Sequence, residues 1–471
     1  MTVRGTMFDR FFFSTWIEER APEAGRGGRP PWVESDEEEA DVGEREERGA
    51  ALGSLLGRIV RGGQAVEEEK SRVVEEVEAL LARGQTPIRL GIVCDYLDEG
   101  WPSMDLAAEM LLEALETFAA PEFRVTLLRP PMPRVARRLS GGKLAKNADR
   151  YLGRYLAYPQ WLRGHVGRFD LFHVVDHSYA HLVHELPAGR TVVTCHDLDA
   201  YRSVLEPEDE PRPRWFRETM GSVLTGLQAA AHVVCDSASV RDQLLGRGIL
   251  PAHRVSTVPL PVHPDFAPDP DPIADPEAAK LLGPKSDDTV DLLHVGMNVP
   301  RKRIDFLLHV FAEVRRAHPR TRLVRAGGPL TPPQREQARE LGVLDAVVEL
   351  PFLERPVLAA VYRRAVVVLA PSGREGFGLP LVEALACGTP VVASDLPVFR
   401  EVGGEAVVYR DPLNAAAWVD AVDELLWDRR DRRQWRGRRE AALERAAEFG
   451  LEAYARGMVA VYRRVLGRGE E

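Results

Sequence analysis

Two acids, Glu375 and Glu383, stand eight positions apart in the stretch EGFGLPLVEALACGTPVV, and the residues between them suit a phosphate. Gly376 and Gly378 let backbone N–H groups approach a ligand closely. Pro380 suits the first turn of a helix, and a helix N-terminus attracts an anion. Because carboxylates only accept hydrogen bonds, we expect the two acids to bind hydroxyl groups on either side of that phosphate. Hydroxyls around a phosphate describe a nucleotide-sugar as the ligand.

The elements that must position this loop are short apolar strands alternating with helical patterns, which predicts parallel sheets covered on both faces. Ligands bind outside the carboxyl ends of the strands in such sheets. The Pro-rich stretch HPDFAPDPDPIADPE (263–277) cannot continue a helix or a central strand and predicts a linker between two such domains. The predicted strands are RLGIVCDYL, FRVTLLRP, LFHVVDH, RTVVTCHD, HVVCDS, RVSTVPL, DLLHVGM, TRLVRAGG, AVVELPF, AVVVLAP, PVVASD and EAVVYR.

The longer motif PSGREGFGLPLVEALACGTPVVASD resembles the donor signature of retaining GT-B glycosyltransferases of family 4, with its E-x7-E pair. Further segments resemble that family in the same order, over about residues 87–467. They are TVVTCHDLDAYR (the N-domain histidine loop), VVCDSASVRDQLL, HVGMNVPRKRIDFLLHVF (the phosphate-clamp loop) and FGLEAYARGMVAVYRRVL (the closing helix). The resemblance implies an α/β GT-B fold, in which two doubly wound Rossmann-like domains face a cleft.

The predicted organisation has five parts. They are an acidic, largely disordered extension (1–85), an acceptor-side Rossmann-like domain (86–262), the linker (263–277), a nucleotide-sugar-binding Rossmann-like domain (278–447) and a C-terminal helix that packs back on the first domain (448–471).

The resemblance also implies roles for individual residues. Glu375 would bind donor-sugar hydroxyls, Glu383 ribose hydroxyls, and Lys302 would neutralise the pyrophosphate. His196, at the end of a strand, would position the sugar. The implied catalytic residues are therefore His196, Glu375 and Lys302, and the remaining implied donor-binding residues are Ser372, Gly376, Phe377, Gly378 and Leu379.

Two departures from the family concern the phosphate and the acceptor. Met297 stands where the family often has an arginine, and the sequence leaves open whether Arg301 or Arg303 compensates. The first-strand loop, DEGWPSMDL, has Gly100 alone where the family usually has two glycines, so the acceptor is not inferred by analogy.

The implied function is transfer of a hexose from a nucleotide-diphosphate sugar, GDP-mannose or a UDP-hexose, to a glycan or lipid-linked acceptor with retention. Two alternatives stay open: a non-catalytic nucleotide-sugar-binding or scaffolding module, and a GT-B phosphorylase. No cofactor or metal is expected, because the metal-like DPDPD run lies in the predicted linker and GT-B enzymes do not use such a motif. No G-x-G-x-x-G or G-x-x-x-x-G-K-[ST] motif supports a different nucleotide fold.

Composition constrains partners and compartment. A net charge of −10 argues against general nucleic-acid binding. Four cysteines placed singly in apolar runs, a charged N-terminus and the lack of an apolar run of about 18 residues predict a cytoplasmic protein. Residues 124–168 hold eleven Lys/Arg, one acid and interleaved aromatics, which predicts contact with an anionic inner-membrane face; a solvated arginine-rich surface is the alternative. By charge, the acidic block 34–48 is predicted to fold back on that surface.

Overall fold

The structure is a computed structural model that describes residues 86–120, 122–139, 142–283 and 289–468. The predicted acidic extension, 1–85, and the proposed fold-back of its block 34–48 lie outside the described residues. The chain divides into two compact units, and one of them holds described residues 89–119 and 125–468. Apart from Ile88, Phe123 and Arg124, the strands of both sheets belong to that unit, and the description below concerns it.

The first sheet has six strands in the order β2-β1-β3-β4-β5-β6. Its inner strands are parallel, with Val193 of β4 opposite Val233 of β5. Every residue of β3, β4 and β5 is buried, as expected where helices cover both faces of a parallel sheet. The strands are β1 (Ile88–Val93), β2 (Phe123–Leu128), β3 (Leu171–Val174), β4 (Thr191–Cys195), β5 (His232–Cys235) and β6 (Val255–Thr257).

Seven α-helices accompany this sheet in the described chain. Pro102 occupies the first turn of α1, where its missing N–H costs no hydrogen bond. The Ser237 side chain accepts from Val240 N and so begins α7. The helices are α1 (Pro102–Phe118), α2 (Val135–Leu139), α3 (Lys143–Leu152), α4 (Tyr158–Arg163), α5 (Arg202–Leu205), α6 (Arg214–Ala229) and α7 (Ala238–Gly246).

The second sheet repeats the arrangement in the order β12-β11-β10-β7-β8-β9, with parallel pairing between neighbours such as Val368 and Val391. Its strands are β7 (Val290–Val295), β8 (Thr321–Ala326), β9 (Val347–Leu350), β10 (Val367–Ala370), β11 (Val391–Ser394) and β12 (Val407–Arg410). Its helices are α8 (Ala274–Leu282), α9 (Ile304–Ala317), α10 (Pro332–Glu340), α11 (Arg355–Arg364), α12 (Leu379–Ala386), α13 (Pro397–Gly403), α14 (Ala415–Asp428) and α15 (Arg432–Ala447).

These two sheets confirm the predicted fold class, and all twelve predicted strands are present. The predicted linker 263–277 overlaps α8 at its end, because Asp275 and Glu277 sit favourably in that helix's first turn. A last helix, α16 (Leu451–Val465), packs against α1 of the first domain, and the Tyr462 hydroxyl lies 2.6 Å from His173 Nδ1 in β3. None of the helices in the described ranges is both long and apolar enough to cross a bilayer.

Candidate active site

The loop between β10 and α12 carries five of the eight predicted donor-binding residues and will be called the donor loop (residues 372–378). Gly378 has φ +101°, a conformation that favours glycine, and a Cβ there would lie 2.7 Å from the Phe399 ring. A Cβ on Gly376 would lie 1.7 Å from the carbonyl oxygen of His196 in the first domain. Both glycines are therefore required by close packing. The donor loop leads directly into the N-terminus of α12 at Leu379.

Glu375 is buried and gathers two cations. Its Oε1 accepts from Lys302 Nζ at 2.5 Å and from Ser372 Oγ at 2.7 Å, and its Oε2 accepts from Arg301 Nη1 at 2.7 Å. Burial alone would raise the pKa of Glu375, but Arg301 and Lys302 lower that pKa to about 2. Burial lowers the pKa of Lys302, and the charge of Glu375 opposes that effect. The carboxylate is thus ionised and held at both oxygens.

Glu383, one turn into α12, has a different environment. It is buried, and its Oε2 accepts a hydrogen bond of 2.8 Å from the Tyr362 hydroxyl of α11. Burial raises the pKa of Glu383 to about 7, and the Tyr362 hydrogen bond and the more distant Lys302 only partly oppose that rise. Its carboxyl group therefore exchanges a proton near neutral pH.

His196 follows β4 and is held by its own domain through both ring nitrogens. Nδ1 lies 2.5 Å from Asp236 Oδ2 at the end of β5, and Nε2 lies 2.9 Å from the Val175 carbonyl oxygen at the end of β3. Burial would lower the pKa of His196, but Asp236, helped by Asp176, raises it to about 9. The imidazole is therefore cationic at neutral pH, and each ring nitrogen donates.

The two domains meet directly at the donor loop. Ser237 Oγ donates to the Gly376 carbonyl oxygen at 2.7 Å. Glu401 of α13 accepts from the first amides of α7, Ala238 N at 2.6 Å and Ser239 N at 3.1 Å. A side chain of the second domain thus caps a helix of the first, and the structure has the cleft closed at this point.

Two adjoining cavities, which share Asp199, Arg202, Arg301 and Arg374 in their walls, remain near this contact. The larger, about 320 Å³, is lined by both domains and includes Asp197, Arg301 and Glu375. A smaller one of about 120 Å³ has Asp199, Arg212 and Arg374 on its walls. Beside the donor loop a tight pocket of about 10 Å³ includes Lys302, Ser372, Glu375 and Gly378. Across the described ranges, no group of three or more His, Cys, Asp or Glu side chains could hold a metal ion.

The structure brings Lys302, Ser372, Glu375 and the loop glycines together, and the His196 carbonyl joins them. Phe377 and Leu379 contribute through position: Phe377 is buried with its ring centroid 5.7 Å from that of Phe449, and Leu379 begins α12. The Glu383 carboxylate accepts from the Tyr362 hydroxyl and is not among the groups that contact Glu375. Sequence reasoning missed Asp236, Tyr362 and Glu401. For Asp236 a signal existed, because an aspartate closes each of the runs VCD, VVD, CHD and VCD.

Two protein families match the two halves of the chain. Residues 107–266 match the model described as Glycosyltransferase Family 4, and residues 282–441 match the model described as Glycosyl transferases group 1. Each half of the chain thus resembles one of these two glycosyltransferase domains. The E-x7-E pair lies within the second of these domains.

Individual relatives carry the same kind of name. The D-inositol 3-phosphate glycosyltransferase of Frankia alni is 42% identical over 191 residues, 37% of this chain and 45% of that protein. Its namesake from Mycobacterium bovis is 33% identical over 325 residues, 65% of this chain and 61% of that protein. The match thus spans about half to three fifths of these relatives. Sucrose-phosphate synthase from Thermosynechococcus elongatus has the same fold, with a TM-score of 0.62 at 21% identity over 81% of this chain and 99% of that one.

Proposed function

We propose that this protein is a retaining glycosyltransferase that moves a hexose from a nucleotide-diphosphate sugar to a glycan or lipid-linked acceptor. The observation that carries the proposal is the buried Glu375 carboxylate, held by Lys302 and Arg301 at the carboxyl end of β10, beside the N-terminus of α12. The two cations and the backbone amides can bind the diphosphate of a donor. When the diphosphate takes the cations, the ionised Glu375 carboxylate is left to accept hydrogen bonds from sugar hydroxyls.

The proposed reaction requires stabilisation of its leaving group, the nucleoside diphosphate. Negative charge develops on the diphosphate as the bond from the sugar C1 to oxygen breaks. Lys302 and the backbone amides of residues 376–379 stabilise that charge, and each preorganised donor of this kind contributes about 3–4 kcal/mol. By the family resemblance, the acceptor attacks the face that the diphosphate leaves, and the leaving phosphate takes the acceptor proton. No metal takes part in this proposal.

His196 positions the sugar in this scheme. An imidazole with a pKa of about 9 is already protonated at neutral pH, so it is a poor general base. Its donors point to Asp236 and Val175 within the first domain, and its carbonyl oxygen packs on Gly376. The residue thus fixes the wall against which the donor loop closes. Closure excludes water and so limits hydrolysis of the donor.

A small phosphorylated polyol is a second candidate acceptor, in addition to a glycan or a lipid-linked one. The name of the Frankia relative describes this class of acceptor. The cavity of about 120 Å³ has Arg202, Arg212 and Arg374 among its lining residues. Arg212 is engaged by Glu210 at 2.6 Å and Arg374 by Asp199 at 3.6 Å, so a phosphate would compete with these acids.

A panel of nucleotide-sugars tests the function. The full chain is incubated with GDP-mannose, UDP-hexoses and ADP-glucose, with and without acceptors, and release of the nucleoside diphosphate is measured. We expect acceptor-dependent release from one donor and none from the Lys302→Ala variant. Binding without release would favour the scaffolding alternative. Release that requires inorganic phosphate would favour the phosphorylase.

We also propose contact with a membrane, and this proposal depends on exposed apolar residues as well as on charge. Of the basic residues in 124–168, Arg150 and Arg154 are buried, and Arg129, Arg137 and Arg163 are in ion pairs. Beside its exposed basic residues, such as Arg134, Arg138 and Arg168, this region also has an exposed apolar feature.

Three leucines form this apolar feature, which we call the leucine ridge: Leu144 (57% exposed), Leu152 (37%) and Leu156 (61%). Spacings of eight and four positions put them along one side of the helical segment that runs from α3 through the π-turn Gly153–Ala157. Lys146 is exposed on the same helix. An exposed apolar stripe with a nearby cation suits insertion into the headgroup region of an anionic bilayer.

A further inference from the structure

Arg301 and Lys302 are consecutive residues whose side chains both reach Glu375. They lie in the 3₁₀ turn Pro300–Lys302, and the amide of Gly373 in the donor loop donates to the Arg301 carbonyl oxygen at 2.7 Å. Arg301 Nη1 contacts Oε2 and Lys302 Nζ contacts Oε1 of the same carboxylate. The turn therefore places one cation at each carboxylate oxygen of Glu375. Its backbone is hydrogen-bonded to the donor loop through Gly373.

The two cations face different spaces. Arg301 and Glu375 are on the wall of the cavity of about 320 Å³ between the domains. Lys302 and Glu375 are on the wall of the tight pocket beside the donor loop. Glu375 thus stands where the two spaces join, with one cation on each side. A group with two adjacent anionic centres fits this arrangement better than a single phosphate does.

The guanidinium of the neighbouring Arg303 makes other contacts, although the stem of its side chain lies beside Gly373 of the donor loop. Arg303 has φ +52°, the one positive value at a non-glycine position within the described ranges. Its Nη1 donates to the Pro412 carbonyl oxygen at 2.7 Å, and its guanidinium lies 4.9 Å from the centre of the Phe306 ring. Arg303 stands with this left-handed backbone at the start of α9, and its guanidinium is held by Pro412 and Phe306 and not by Glu375.

Opposing charges have to be counted on both walls. Arg301, Lys302 and Glu375 together carry a net charge of +1. Across the cleft, Asp197 and Asp199 of the first domain also act on Arg301 and, with Glu375, raise its pKa. Asp199 is in turn 3.6 Å from Arg374. Arg301 is thus held charged by three acids, Glu375, Asp197 and Asp199, from which a more highly charged anion can draw it.

We infer that Arg301 is a second diphosphate-binding cation, which leaves Glu375 and binds one phosphate of the donor while Lys302 binds the other. This inference rests on the proposed function, because it assigns a residue to the nucleoside-diphosphate part of the same donor. It places at position 301 the positive charge that Met297 does not supply. It also assigns Arg303 a structural role.

Calorimetric titration of the full chain tests this, with UDP, GDP and ADP and with the parent nucleosides as probes. We expect Arg301→Ala and Arg301→Gln to weaken the nucleoside diphosphate that binds by about tenfold or more, while the affinity for its nucleoside stays unchanged. Arg301→Gln keeps most of the packing of the side chain if Arg301→Ala fails to fold. The matched control is Arg303→Ala, which should bind the diphosphate as the wild type does.

The outcomes separate the inference from the proposed function. If the wild type binds a nucleoside diphosphate and both Arg301 variants bind it equally well, the inference is overturned and the function stands. If the variants lose nucleoside and nucleoside diphosphate to the same extent, Arg301 has a structural role and the inference is again overturned. A wild type that binds none of the three diphosphates overturns the proposed function together with the inference.

Discussion

At the scale of single residues, the pKa values of two nearby glutamates are shifted in opposite directions. The pKa of Glu375 is lowered, and the pKa of Glu383 is raised. Glu375 is held as a carboxylate because two cations and a hydroxyl contact its oxygens. Glu383 is buried against a tyrosine hydroxyl with its nearest cation farther away, so its pKa lies near 7. Residue type alone does not separate the two; the number of cations within reach does.

Glu383 should make stability depend on pH. Its folded-state pKa of about 7 is above the usual 4.5, so the folded state binds the proton more tightly. The stability that this proton gives is present below pH 4.5 and is lost as the pH rises through 7. The difference corresponds to about 3 kcal/mol. Glu383→Gln should therefore unfold at higher urea than the wild type at pH 8, and the gap should close by pH 4.5. The exposed Glu405→Gln is the control, and parallel pH profiles for Glu383→Gln and wild type would contradict the assignment.

The same two acids should differ in ligand binding. Glu383→Gln keeps the shape but loses charge-assisted bonds to ribose hydroxyls, worth about 1.5–3 kcal/mol each. Affinity for nucleotide and nucleotide-sugar should fall alike. Glu375→Gln should reduce turnover of the nucleotide-sugar without weakening the binding of free nucleotide, because Arg301 and Lys302 are then free for its phosphates. Calorimetry with nucleotide and steady-state kinetics separate the two. Equal losses of free-nucleotide affinity would show that the two roles are misassigned.

Lys302 should carry most of the electrostatic catalysis. Six of the 62 basic residues are lysine, yet a lysine stands between two arginines here, and a compact ammonium fits a tight pocket. Lys302→Ala should lower kcat/KM at least about a hundredfold, roughly 2.7 kcal/mol. Lys302→Arg should retain only part of the wild-type kcat/KM. Arg301→Ala and Arg303→Ala should each lower kcat/KM less than Lys302→Ala does. Near-normal turnover of Lys302→Ala would place the phosphate clamp elsewhere.

At the scale of elements, the contact between α13 and α7 is what holds the cleft closed. Glu401 caps the first two amides of α7, a helix of the other domain. Such a cap couples the position of one sheet to the other, because opening the cleft leaves the α7 amides to water and leaves Ser237 without the Gly376 carbonyl.

Removing this cap should loosen the closed state. Glu401→Ala should lower the free energy of unfolding by about 1 kcal/mol, the usual cost of a lost helix cap, and should raise hydrogen exchange at Ala238 and Ser239. Glu405→Ala, an exposed glutamate in the next turn, should leave both unchanged. Unaltered exchange at Ala238 in the Glu401 variant would argue against a cap that persists in solution.

The elements also show where sequence reasoning ends. The twelve strands were predictable because each is a short apolar run between helical patterns, and the donor loop because glycines and acids recur at a known spacing. The helices between residues 135 and 163 were missed, since their basic and aromatic residues looked like a charged surface. Arg154 of that segment is in fact buried, with Ser178 Oγ at 2.7 Å and the Tyr179 ring at 3.9 Å. Partners distant in sequence decide such cases.

At the scale of the whole molecule, the leucine ridge should decide membrane contact. The double change Leu152→Ser and Leu156→Ser should weaken binding to anionic vesicles, measured by sedimentation, by about a hundredfold or more, since each buried leucine contributes about 1.5–3 kcal/mol. Binding should also survive moderate salt better than a purely charge-driven contact would. Leu281→Ser, an exposed leucine of α8, is the control. Wild type that does not sediment with anionic vesicles at low salt would remove the membrane from the proposal.

Because α16 packs on the first domain, that domain cannot complete its packing until residues 451–465 have been translated. His173 in β3 and the apolar face of α1 receive their partners from residues 451–465, which are translated after the entire second domain. At about 5–20 residues per second, a ribosome takes roughly ten to forty seconds to bridge that interval. The nascent first domain must spend this time with an uncovered apolar face, where chaperones can bind. Its folding is therefore completed by the end of the chain, although its sheet is made first.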